Sequence, residues 1–241
     1  MFRKVFHILV SIAVLVAAMS FIAKPHSTFT IHFNNYVGNE ILELDSTTYK
    51  NALGQTYTVS KFKYYIGNIS LKNKNGKEFN SSEYFLVNEE DPPSKQITLA
   101  NVPDGDYTSI SFMLGVDSMH NCSGAQEGAL DPINAMFWAW NTGYIFLKME
   151  GKSSLSKSPG NLLEFHIGGY KAPYNCIRTI TLTLSKNTIV GDKSASINIK
   201  TDLSELFKTP TIIDFSKLSS VTDFHNATTI ANNYSDMFSI H

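Results

Sequence analysis

Short runs of alternating apolar residues, each closed by a turn signal, constrain this chain more than any other feature. TFTIHF (28–33) puts Phe29, Ile31 and Phe33 on one face and Thr30 and His32 on the other. That two-residue period is the mark of a strand with one buried face. TVSKFKYYIGNISL (58–71) is dense in aromatic and β-branched residues, and Gly67 within it signals a bulge. YFLV (84–87) and QITL (96–99) read as short strands. VPDGDY (102–107) is a turn in which Pro103 and Gly105 supply the special dihedrals, and TSISFMLGV (108–116) is the strand after it. GYIFLKMEG, LLEFHIGGY, IRTITLTLS and ASINIK continue the series. This pattern predicts an all-β fold: a single-domain antiparallel β-sandwich or barrel of Greek-key type.

Two segments break the pattern. Residues 115–141, GVDSMHNCSGAQEGALDPINAMFWAWN, form a long central loop with little periodicity. Loops of this length in a compact domain are functional or disordered, and this one ends too rich in apolar residues for disorder. At the C-terminus, HNATTIANNYSDMFSIH (225–241) spaces Ala227, Ile230, Ala231, Tyr234 and Met237 or Phe238 as one face of a short helix, with Asn226 as its cap.

The first segment has a basic start, Arg3 and Lys4, then an apolar run from Val5 to Ala18 and small residues at Ala18 and Ser20. It reads as a signal peptide over 1–20, with its end as late as 23, followed by one β domain over 27–241. The apolar run is short for a span of about 20 residues, which favours cleavage over anchoring. No cysteine lies nearby to carry a lipoprotein anchor. The expected location is the periplasm or the extracellular space. A formal net charge of −1, without basic or acidic blocks, recommends neither nucleic acid nor an anionic membrane surface as partner. Cys122 and Cys176 are the two cysteines. An even number in an exported chain predicts a disulfide; the alternatives are two free buried thiols or a pair of soft metal ligands.

Few polar residues sit in a catalytic setting. There is no nucleophile elbow, phosphate loop, zinc-type histidine pair or CxxC, so an enzyme is not expected. Asp104, Asp106, Asp117, Glu127, Asp131 and Glu150 are scattered and read most simply as solvated loop charges, with Asp131 opening a turn before Pro132. The histidines are more informative. His32 and His166 occupy strands in the phase opposite to their apolar neighbours, and His120 lies in the long loop beside Cys122. Imidazole is a common ligand for borderline-soft metals, and strands hold it rigidly. Against this, a lone strand histidine is most often a half-exposed surface residue, and tryptophans such as Trp138 and Trp140 are usually core or interface residues.

The blocks SMHNCSGAQEGALDPINAMFWAWNTGYIFLKMEG, EFHIGGYKAPYNCIRTITL and IANNYSDMF resemble the MbnP-like proteins, exported β-proteins named for a member of methanobactin operons. The resemblance runs from about His32 to Phe238, and FWAWNTGY and EFHIGG are its most specific parts. It implies copper as the cofactor. In methanotroph members a tryptophan is oxidised to kynurenine by a di-haem cytochrome c peroxidase-type partner, and the modified residue and histidines hold the metal. Carried onto this chain, Trp138 or Trp140 is the oxidisable residue, and His120 and His166 are metal ligands. His32 joins them on position and phase only. Kynurenine exposes an aniline nitrogen and a carbonyl where indole offers only a donor N–H, so the oxidation creates a ligand. The resemblance also leaves Cys122 as a copper ligand or as half of a disulfide to Cys176 that braces the site. The alternative is a metal-free cell-envelope interaction module.

Overall fold

The computed structural model describes residues 27–138, 143–184, 188–191 and 194–241. The signal peptide read over 1–20 and the candidate Trp140 lie outside the described residues.

Two sheets face each other. The first holds β1 (Phe29–Val37) and β13 (Ala195–Asp202) at its centre, with β15 (Phe238–Ile240) beyond β13. The other edge of β1 is shared by β2 (Glu40–Ile41) and β7 (Gln96–Leu99). The second sheet is built on β4 (Thr56–Asn73). One side of it is flanked by β8 (Gly105–Leu114) and β11 (Arg178–Thr183), the other by β9 (Leu147–Lys152), β10 (Leu162–Ile167) and β14 (Ser220–Val221). Short strands β3 (Tyr49–Lys50), β5 (Glu78–Ser81) and β6 (Phe85–Asn88) also pair with β4, and β12 (Ile189–Val190) pairs with β8.

The all-β sandwich follows from the alternation. Along β1 every second residue is buried, and Phe33 points inward. Its ring meets Phe112 edge-on at 5.7 Å, Tyr64 at 6.1 Å and Phe238 at 6.3 Å. Each such buried aromatic contributes about 1.5–3 kcal/mol through burial alone. Because successive strand residues point to opposite faces, His32 is on the outer face of the first sheet and Lys63, next to Tyr64, on the outer face of the second. The predicted bulge is present: the register of β4 against β8 shifts between Gly67 and Ser70, where Asn68 takes a left-handed φ of 48°.

Most pairings are antiparallel, but the expectation of an antiparallel fold needs correcting at two places. β1 runs parallel to β13 from Phe29↔Ala195 to Tyr36↔Asp202, and β10 runs parallel to β14. Parallel neighbours need a long crossover, which strand-length patterns do not reveal. The long loop is ordered over its described residues. It contains α1 (Ser118–Cys122) and single 3-10 turns at Gly128–Leu130 and Pro132–Asn134. The C-terminal helix is α2 (Ala227–Tyr234); Met237 is buried beyond its end and Phe238 starts β15. Asn226 stands at the cap position without a side-chain hydrogen bond. Among the described residues no helix is long and apolar enough to cross a membrane.

Candidate functional site

The long loop lies across the outer face of the second sheet. Tyr65, pointing outward from β4, donates to the Ala129 carbonyl at 3.0 Å and meets the Tyr144 ring at 5.8 Å. Tyr144 Oη donates to the Leu130 carbonyl at 2.8 Å, and its backbone N–H to Asn121 Oδ1 at 2.9 Å. Lys148, on the same face of β9, donates to the Ala135 carbonyl at 2.5 Å. Trp138 of FWAWNTGY and Gly168 of EFHIGG, far apart along the chain, meet here. Trp138 is 5% exposed and packs on Gly168, and its ring meets Phe224 edge-on at 5.6 Å.

His120 stands at one end of this covered face. Asp117 caps α1: its Oδ1 accepts from the His120 backbone N–H at 2.9 Å and sits 2.9 Å from His120 Nδ1. Its Oδ2 accepts from Tyr84 Oη at 2.8 Å. The Tyr84 ring stands edge-on to the imidazole at 4.7 Å. Desolvation pushes the Asp117 carboxyl up, but the bonds from the His120 N–H and ring and from the Tyr84 hydroxyl prevail and hold it below the usual range. It is therefore ionised at neutral pH and only accepts hydrogen bonds. His120 Nε2 has no hydrogen-bond partner among the described residues.

His166 shares that face but has a different environment. It lies opposite Lys148, which lies opposite Lys63. Its Nε2 is 2.9 Å from Glu150 Oε1, and Glu150 also pairs with Lys61 at 3.1 Å. Burial, and then the Lys148 ammonium, push His166 below its usual value, with Glu150 opposing. Burial likewise depresses Lys148. The Glu150 carboxyl is lowered by its bonds to Lys61 and His166 against the opposing effect of desolvation. Gly168, under Trp138, is two residues along from His166 on the same face, whereas Glu150 is in register with Glu164 on the other side. The imidazole thus leans away from the indole, toward the carboxylate.

The three predicted histidines are not brought together. His32 opens on a surface pocket with Pro92, Pro93 and Lys95, on the far side of the sandwich. Tyr84, beside His120, rests on Gly67, four residues along β4 from the position in register with Lys148 and His166. Gly67, the seat of Tyr84, is thus about 13 Å along the strands and about 10 Å across them from His166. Among the described residues no three or more His, Cys, Asp and Glu side chains form a metal-holding group.

The expected disulfide is also corrected: both cysteines are free thiols. Cys122 is exposed, with Sγ 3.3 Å from Tyr170 Oη, while Cys176 is buried and its thiol is pushed up to about 12, chiefly by desolvation.

Two residues read as solvated loop charges, Asp117 and Glu150, each hold a histidine. Asp117 precedes His120 by the three residues that separate an N-cap from the position it caps, a legible signal. Glu150 pairs with His166 across two strands, a contact set by register, which single-sequence patterns do not carry. In the sequence Tyr84 reads only as the start of the YFLV strand.

No curated protein matches the chain. Among solved structures, MbnP from Methylosinus trichosporium is similar with a TM-score of 0.55 at 15% identity, covering 79% of this chain and 80% of that one. At that identity the likeness concerns the fold. The sequence model of the MbnP family matches residues 26–226, which is most of the chain, and the protein belongs to the MbnP family.

Proposed function

We propose that this protein is an exported, non-enzymatic copper-binding protein whose metal is held on the loop-covered face, with His120 as a ligand. Membership of a family associated with copper supports the choice of metal. The observation that carries the site is the Asp117–His120 contact: one imidazole nitrogen is bound to a carboxylate and the other has no described partner. That is the arrangement in which metal-ligating histidines are usually held. Imidazole suits both Cu(I) and Cu(II). Cys122, exposed two residues on and free, is a soft donor on the same short helix. His166 is the weaker candidate, because copper there competes with Glu150 and faces the Lys148 ammonium.

Trp138 is packed between Gly168 and Phe224, and its oxidation would disturb the core. In this proposal Trp140 is therefore the residue converted to kynurenine, by a di-haem cytochrome c peroxidase-type partner. Metal analysis and peptide mass spectrometry of protein purified from its native envelope test the reading. Copper and kynurenine at Trp140 are expected. His120→Ala weakens copper binding at least tenfold, the scale of losing one partner of a metal site, and His166→Ala weakens it less. Protein that carries no copper and takes up none ends the reading.

A second reading, a metal-free envelope interaction module, is favoured by the exposure of Met119 (68%) and Ile133 (84%) on the covering loop. It predicts unmodified tryptophan and no metal.

A further inference from the structure

We propose that Tyr84 and Asp117 are positioning residues that lock His120 in the Nδ1–H tautomer, so that the Nε2 lone pair is the one left for a metal. The ligand role rests on the copper reading above; the tautomer lock does not.

Asp117 is the N-cap of α1 and His120 its third residue, N3. In a capping box the N3 side chain reaches back to the backbone N–H of the cap. Here the N3 imidazole instead reaches the cap's carboxylate, through Nδ1 to Oδ1. The cap's own backbone N–H is satisfied from outside the helix, by Tyr84 Oη at 3.2 Å. The same hydroxyl donates its proton to Oδ2 at 2.8 Å. One tyrosine hydroxyl thus ties both the backbone and the side chain of Asp117. Both carboxylate oxygens already accept bonds within the protein, so the role of Asp117 is to orient the imidazole rather than to bind metal.

The proton position follows. An ionised carboxylate can only accept, so the contact at Nδ1 requires the proton to be on that nitrogen. A neutral imidazole then has its lone pair on Nε2. The Tyr84 ring, edge-on at 4.7 Å, restricts rotation of the imidazole.

Tyr84 is itself seated on the scaffold. A Cβ at Gly67 would lie 2.7 Å from Tyr84 Cε1 and 2.9 Å from Cδ1. Gly67 is thus the opening in β4 into which the ring settles, and the next strand begins at once, with Phe85 in register with Ile66. Contacts therefore run from the central strand through the Tyr84 ring and hydroxyl to Asp117 and the His120 ring, the kind of supporting shell that holds a ligand in place.

The test is nitrogen-15 histidine NMR of the mature, metal-free protein at a pH where the imidazoles are neutral, alongside copper titration. The wild type should show His120 as Nδ1–H. Asp117→Ser keeps a capping oxygen but cannot reach the ring; it should shift the population toward Nε2–H and weaken copper binding tenfold or more. Tyr84→Phe keeps the ring and loses the hydroxyl, and should shift both readouts in the same direction by less; it also serves if Asp117→Ser fails to fold. Nε2–H in the wild type, or an unmoved tautomer in the folded variants, overturns the lock. A moved tautomer with unchanged copper affinity overturns the positioning role. If the wild type has the expected tautomer yet binds no copper, the copper reading falls and the lock stands.

Discussion

The indole of Trp138 rests on the α-carbon of Gly168: a Cβ there would lie 2.8 Å from both Cη2 and Cζ3, and 2.5 Å from the Tyr144 carbonyl oxygen. This contact joins the two most recognisable blocks of the sequence. Gly168→Ala should therefore overpack the site and destabilise the fold by about 1–3 kcal/mol. Thermal unfolding followed by tryptophan fluorescence measures it; an unchanged Tm would show that the ring has room to move.

Stability should fall on mild acidification because of His166. Burial and the Lys148 ammonium hold its folded-state value below the ordinary 6.5. The unfolded chain then takes up the proton at a higher pH than the folded one. This contribution is constant above about 6.5, declines as pH falls below it, and levels off beneath the folded value. His166→Gln, which can still hydrogen-bond Glu150, removes this titration. Between pH 7.5 and 5.5 the variant should lose less Tm than the wild type, and equal losses would count against the assignment.

The two thiols should behave differently. Cys122 is exposed, and Cys176 is buried with its thiol pushed up to about 12. Native protein should alkylate once, at Cys122, and a second time only after unfolding. Reductant should leave Tm unchanged. A Cys122–Cys176 cross-linked peptide under non-reducing conditions would refute this.

Lys148 should act as a pin for the covering loop. Its ammonium donates to Ala135, and its stem is buried in the sheet face. Lys148→Met keeps an apolar stem and loses the bond, a change worth about 0.5–1.5 kcal/mol. Hydrogen exchange should quicken over 128–138 and stay the same in β4 and β8. Uniform change across all three would show that the effect is global.

The parts legible in the sequence were those with local causes. Alternation along TFTIHF predicts that Phe33 is inward and His32 outward, and both are so placed. Gly67 marked a real bulge, and Asp131 does open its turn, accepting from the Ile133 N–H at 2.9 Å. The helical spacing near the C-terminus was right until Met237, where pairing of Phe238 with Thr201 overrides it. The site was less legible because it depends on register and layer. Nothing along the chain states that His32 and His166 belong to opposite outer faces. Glu150 meets His166 only because β9 and β10 align as they do. The family blocks identified the correct neighbourhood, while the residues that orient His120 came from a strand end and a helix cap.

The pairing of β1 with β13 has a consequence for how the chain acquires its shape. Phe29 waits for Ala195, and Tyr36 for Asp202. The first strand of the domain therefore cannot find this neighbour until more than 160 further residues have been made. Contacts of such sequence separation carry a large loop-closure cost before they return any stability, which slows folding. In the meantime the alternating face of Phe29, Ile31 and Phe33 stays uncovered on its β13 side. The first sheet can gain its β1–β13 pairing only once the last third of the chain is present.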